Sequence, residues 1–205
     1  MPDRRFLSFL LLLVAAAGVS RGEASQSQRV TVMGNPADVR VAAVREAVAF
    51  WNTELERLGS GTRLGPISVV ENSVPADALR EASLAVEQGR RPRDLSPWIE
   101  PRPDELVVVL ASADLMSFAV RGRHGAGGVV VLRSADDAPL SLPNVARNVA
   151  AHELGHLLGL EHNEATGTLM CGRPARCRPD LFASDTPRFF PLTAEDERVL
   201  RESAP

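Results

Sequence analysis

The stretch HELGHLLGLEH, residues 152–162, holds three of the four histidines in a chain of 205 residues, with a glutamate directly after the first. His152 and His156 stand four apart, so on a helix both imidazoles leave one face, one turn above the other, and can grip a single metal ion. Glu153 lies one step round that helix, off the ligand line, where its carboxylate reaches a water on the metal rather than the metal itself. Gly159 falls where a helix commonly stops in a left-handed conformation, which lets the chain turn back and His162 supply a third imidazole from outside the helix. Three imidazoles leave the fourth position of a tetrahedral ion open, the mark of a catalytic rather than a structural zinc site. Zinc in that setting brings the pKa of its water to about 7 and polarises a carbonyl, while Glu153 takes the proton of the attacking water and returns it to the departing amine. Imidazole sets also accept copper, iron or nickel, so zinc rests on the open three-histidine pattern. The bland alternative is a solvated helix face. Five specified positions coincide by chance with a frequency on the order of one in a hundred thousand, which favours the site.

These residues need a helix to carry them, and LSLPNVARNVAAHELGHLLG supplies one. Ser141 or Asn144 is expected as its cap, and Val145, Val149, Leu154, Leu157 and Leu158 are expected to turn toward a core. Upstream, Gln28 to Met33 reads as a strand, followed by a long amphipathic helix with Asn35 as cap, Pro36 in its first turn, Trp51 in the core and Gly59 as stop. Further strands are expected at Ile67 to Val70, Glu105 to Leu110, Ser117 to Arg121 and Val129 to Leu132, the continuous valine run in the second of these suiting burial on both faces. A helix ending at Gly89 and a Pro-rich loop with Trp98 fill residues 72–104. Thr193 followed by Asp196 resembles a capping box at the start of a last helix.

The net charge is −3, and every one of the 23 basic residues is arginine, without a basic tract, so nucleic acid is not an expected partner. Residues 1–24 open with the pair Arg4 and Arg5, followed by an apolar run from Phe6 to Ala17 and then small residues, the pattern of a cleaved export signal. The run is shorter than the roughly 20 residues of a spanning helix. The expectation is a secreted or periplasmic protein without stable membrane insertion, with residues 25–205 as one catalytic domain acting as a monomer. Cys171 and Cys177 are the only cysteines, and in an exported chain they suit one local disulfide; two free thiols, or one thiol on a metal, fit the spacing as well.

The run HELGHLLGLEH matches HExxHxxGxxH, and the chain resembles the metzincin zinc metallopeptidases, being most similar to the matrixin, or peptidase M10-like, branch. The resemblance implies an α+β zincin-like fold: a twisted mixed five-stranded sheet with an antiparallel edge strand, a long N-terminal helix, an active-site helix and a C-terminal helix. It implies that His152, His156 and His162 hold one catalytic Zn2+, with Glu153 as general base. It places Met170, in GTLMCG, as the methionine turn beneath the metal. It also implies that Ser117 to Arg121 lines the cleft antiparallel to an extended peptide. The segment Cys171 to Pro191 becomes a pocket wall that a Cys171–Cys177 disulfide stiffens.

The protein departs from that pattern at several points. Asn163 follows the third histidine where matrixins have Ser or Thr. The second histidine set of vertebrate-type matrixins is missing, as His124 stands alone, and calcium is unsupported by any EF-hand-like spacing. Latency through a propeptide cysteine is not expected, and the insertion 72–104 lies outside the usual matrixin core. The expected activity is zinc-dependent endoproteolysis of protein or peptide substrates. The alternatives are a zinc-binding protein without proteolysis and an amide hydrolase acting on small or cell-wall peptides.

Overall fold

The computed structural model describes residues 26–92, 95–122, 127–136, 140–172 and 187–202. The export-signal segment, His124 and Cys177 lie outside these described residues. Elements follow in the order β1 (Gln26–Met33), α1 (Val39–Arg57), β2 (Thr62–Val70), α2 (Ala76–Glu87), β3 (Glu105–Leu110), β4 (Phe118–Arg121), β5 (Gly128–Leu132), α3 (Pro143–Leu157) and α4 (Ala194–Glu202). The five strands form one sheet in the order β2-β1-β3-β5-β4, with β4 alone antiparallel and at the edge. This is the α+β architecture expected from the sequence, antiparallel edge strand included. Among the described residues no helix is long and apolar enough to cross a membrane.

Alternation along the strands explains the layering. In β3, Leu106, Val108 and Leu110 join a core that contains Trp51, Leu55, Val145, Leu154 and Leu157 from α1 and α3, while Val107 and Val109 point to the opposite face. Val130 and Leu132 of β5 divide from Val129 and Val131 in the same way. The opposite face is covered by the insertion, through Val74, Leu79, Ala82 and Ile99, which pack with Leu115 and Phe118. A parallel sheet buries both faces, and here the 72–104 segment supplies the second layer.

Several boundaries differ from those expected. Asp38, not Asn35, caps α1: its carboxylate accepts from Arg40 N at 2.8 Å, while Asn35 makes its own turn by accepting from Ala37 N at 2.9 Å. Asp38 also holds the buried Arg40 side chain, whose Nη1 donates to Ala111 O, Leu132 O and Arg133 O at 2.8, 3.0 and 2.6 Å, tying the start of α1 to the ends of β3 and β5. α3 has neither Ser141 nor Asn144 as cap. Leu142 occupies that position without a side-chain bond and Pro143 opens the helix, leaving the Asn144 side chain for a tertiary role. β2 begins five residues before Ile67, because Thr62–Leu64 pair with Gln26–Gln28. The ladder shifts register between Gln28 and Val30, opposite Pro66, a residue with no N–H to donate.

Candidate active site

α3 holds His152 and His156 in place because tertiary contacts fix it along its length. Trp51, fully buried on α1, donates from Nε1 to Ala151 O at 2.9 Å, one residue before His152. Asn148 accepts from Phe190 N at 2.9 Å and donates to Arg188 O at 2.7 Å, and Asn144 Oδ1 accepts from Arg188 N at 3.1 Å. These two asparagines hold the backbone of the chain that leads into α4. After α3, Gly159 takes φ 105°, as the left-handed stop requires, and the backbone reverses into His162.

The three imidazoles converge. The Nε2 atoms of His152, His156 and His162 lie 3.1, 3.1 and 3.2 Å apart pairwise, and these three side chains form a group able to hold one metal ion. His152 Nδ1 contacts Leu169 O at 2.8 Å and His156 Nδ1 contacts Leu160 O at 2.8 Å. A carbonyl only accepts, so each Nδ1 carries the proton and each Nε2 presents a lone pair. Lone pairs crowded this closely repel unless a cation lies among them. Tetrahedral bonds of 2.0–2.1 Å put ligand atoms about 3.3–3.4 Å apart, so the observed triangle fits zinc. Burial, as the largest influence, and the neighbouring His162 push the His156 imidazole below its usual pKa against the opposing bond to Leu160 O, favouring the neutral ligand form.

Met170 is fully buried under this cluster. Its sulfur would stand 2.7 Å from a Cβ on Gly155, the α3 residue between the two helical histidines. The loop that brings His162 and Met170 together is organised by Asn163. Its N–H donates to Met170 O at 2.9 Å and its carbonyl accepts from Gly172 N at 3.0 Å. Its Oδ1 accepts from Ala165 N and Thr168 Oγ1, both at 3.0 Å, and its Nδ2 donates to Asp196 Oδ2 at 3.2 Å. Asp196 closes the expected capping box with Thr193, accepting from Thr193 N at 2.8 Å while its own N–H donates to Thr193 Oγ1 at 3.1 Å. Gly172 packs against the ring of His162 so closely that a Cβ there would overlap it. Cys171 is disulfide-bonded; Cys177, the only other cysteine, lies outside the described residues.

Glu153, His152, His156 and His162 open together onto a cleft of about 900 Å³, which Phe118, Ala119 and Arg121 of the edge strand line from the other side. Arg121 locks that strand to the site helix, donating from Nε to His156 O at 2.6 Å and from Nη2 to Glu161 Oε1 at 2.9 Å. The structure thus brings His152, Glu153, His156 and His162 to one place, with Gly159 and Met170 supporting them.

Sequence reasoning missed Arg121, Asn148, Gly172 and the Asn163–Asp196 link. Only the last left a trace in the sequence, as the departure from Ser or Thr after the third histidine and as the capping-box pattern.

Residues 133–180 match the matrixin family model, a stretch that runs from the end of β5 through the site helix and the Met170 loop. The family match covers under a quarter of the chain and coincides with its histidine cluster. Among solved structures, archaemetzincin from Methanopyrus kandleri shares 16% identity over 90% of this chain and 98% of its own, with a TM-score of 0.49. Metalloproteinase-II from Bacteroides fragilis shares 15% over 87% of this chain and 53% of its own, at 0.44. OgpA from Akkermansia muciniphila shares 19% over 86% of this chain and 60% of its own, at 0.46. No curated protein sequence matches the chain.

Proposed function

We propose that the protein is an exported zinc metalloendopeptidase that hydrolyses peptide bonds in extended protein or peptide substrates. The observation that carries this reading is the triangle of Nε2 atoms 3.1–3.2 Å apart, opening with Glu153 onto one cleft beside an edge strand. His152, His156 and His162 would hold the zinc. When bound, zinc supplies an acidified water and a Lewis acid for the scissile carbonyl.

The rest is the work of side chains and backbone. Glu153 accepts the proton of the attacking water on its carboxylate and delivers it to the leaving amine, a role worth roughly 100- to 10,000-fold in rate. β4 offers its outer edge to the substrate backbone, so that an extended peptide adds as a further strand, antiparallel to it. Leu169 O and Leu160 O hold the His152 and His156 rings in the tautomer that presents Nε2 to the metal. Leu140, Val149 and Cys171 give the cleft that Glu153 lines an apolar wall. The pattern in residues 1–24 supports export to the periplasm or the medium, and the mature protein acts as a monomer.

Incubating the protein from Ser25 onward with a mixed peptide library, alone, with a chelator, and as Glu153→Ala, tests the reading. Cleavage by the untreated wild type alone is expected. A wild type that holds one zinc and cleaves no peptide would instead be a metal-binding protein, and turnover confined to short amides would make it a small-substrate hydrolase.

A further inference from the structure

The cleft does not end at the edge strand. A second groove, of about 420 Å³, continues from it between α2 and the Asp114–Met116 segment, and the two share Glu87, Met116 and Arg133. The wall on this side is therefore built by the insertion, and it is fixed in place. Ser83 of α2, nearly fully buried, donates from its hydroxyl to Met116 O at 3.2 Å and accepts from Met116 N at 3.1 Å, while Leu79 and Ala82 pack with Leu115 and Phe118. Arg133 N donates to Ser117 Oγ at 3.1 Å, which fixes the residue just before β4 on the same side. The groove is thus as well anchored as β4 itself.

Both arginines that line it already have a carboxylate partner. Arg133 is paired with Asp114, Arg80 with Asp77 at 2.8 Å, and in the main cleft Arg121 with Glu161 at 2.9 Å. Glu87 lines both cavities, is exposed, and makes no hydrogen bond or ion pair with any described residue. The half-exposed Leu84, one turn earlier on α2, offers apolar surface beside it. A carboxylate next to an aliphatic patch suits the end of an arginine or lysine side chain, whose methylenes cover the leucine while its charge meets the glutamate.

We infer that α2 of the insertion forms a substrate subsite in which Glu87 selects a basic residue on the C-terminal side of the scissile bond. This deepens, and rests on, the endopeptidase reading. The side follows from the strand direction: β4 runs from Phe118, beside this groove, to Arg121, which is bonded to His156 O. A peptide antiparallel to β4 enters with its N-terminal residues at Arg121 and leaves past Met116 and Glu87.

Peptides that differ only in the residues following the cleaved bond, carrying Arg, Lys, Gln or Glu at each position in turn, test this with wild type, Glu87→Gln and Glu87→Arg. Wild type should favour Arg or Lys over Gln at one such position by about three- to tenfold in kcat/KM, mainly through KM, and less so in high salt. Glu87→Gln should erase that ratio and Glu87→Arg should turn it toward Glu. A wild type indifferent to charge there, a preference left unaltered in both variants, or a Glu87-dependent preference N-terminal to the bond would each overturn the inference. Failure of the endopeptidase reading itself would be seen separately, as cleavage of no peptide by wild type.

Discussion

Asn163→Asp changes one amide nitrogen into an oxygen, yet it strikes the loop that carries both His162 and Met170. In the wild type Asn163 Nδ2 donates to Asp196 Oδ2 at 3.2 Å, and Asp196 is buried. The substitution removes a hydrogen bond to a charged group, worth about 1.5–3 kcal/mol. It also sets two carboxylates against each other. At 3.2 Å and an effective dielectric of about 20, their repulsion would be about 5 kcal/mol. Proton uptake by one of them limits the penalty at pH 7 to about 4 kcal/mol, about three pH units above the ordinary aspartate pKa. A net loss of about 2–4 kcal/mol should lower Tm by about 6–12 °C in a domain of this size, and zinc should be held about tenfold more weakly because His162 is the next residue.

The added change Asp196→Asn reverses the polarity of the link. In the wild type one atom, Asp196 Oδ2, accepts from both Asn163 Nδ2 and Thr193 N, so the new amide at position 196 relieves the repulsion by donating to the carboxylate introduced at position 163 but gives up the bond from Thr193 N, and Tm and zinc retention should return in part. Urea unfolding and chelator competition on wild type, both single variants and the double variant give the coupling as a double-mutant cycle, expected to exceed about 1.5 kcal/mol. Additive losses in the double variant would refute the argument that these side chains hold the loop through each other.

Gly172→Ala forces a methyl group into the His162 ring. The variant should fold, with Tm in chelator close to that of wild type, but lose most of its zinc by elemental analysis; full zinc occupancy would contradict the close packing. The Asp38 carboxyl is pushed up by burial, but the hydrogen bonds and charge of Arg40 outweigh this and hold it below its ordinary value. Its contribution is then complete above about pH 4 and fades as pH falls through the lower folded value. Asp38→Asn, which keeps a good cap, should cost stability at pH 6 and progressively less as the pH falls below about 4, as read by urea unfolding across the acid range; parallel curves would remove Asp38 from the acid limb. Arg121→Ala should raise KM for long peptides more than for short ones, since it frees the edge strand from His156 O. Equal effects on both would separate Arg121 from the cleft.

Local chemistry in this protein was legible, and tertiary chemistry was not. The HExxHxxGxxH spacing specifies which faces of a helix point where, so His152, Glu153, His156 and the stop at Gly159 could be placed from residue order alone. The valine run of β3 announced burial on both faces for the same reason. What covers the second face was not readable, because α2 is merely amphipathic and nothing in its composition names the sheet side it packs on. Asn35 with Pro36 after it reads as a cap, but Asp38 takes that place as the partner of Arg40, whose position depends on carbonyls 71 to 93 residues away. Arg121, Asn148 and Gly172 act on atoms distant in sequence or on a ring that only the folded loop brings near. Asn163 was visible as a departure, and its meaning appeared only with Asp196 beside it.

The central claim is that Glu153 does chemistry at a metal held by His152, His156 and His162. The most direct measurement is peptide turnover by Glu153→Gln beside wild type, with zinc counted in the same samples. The account predicts one zinc per protein molecule in both, and turnover reduced by at least about a hundredfold in the variant. A variant that keeps its zinc and its rate would contradict it.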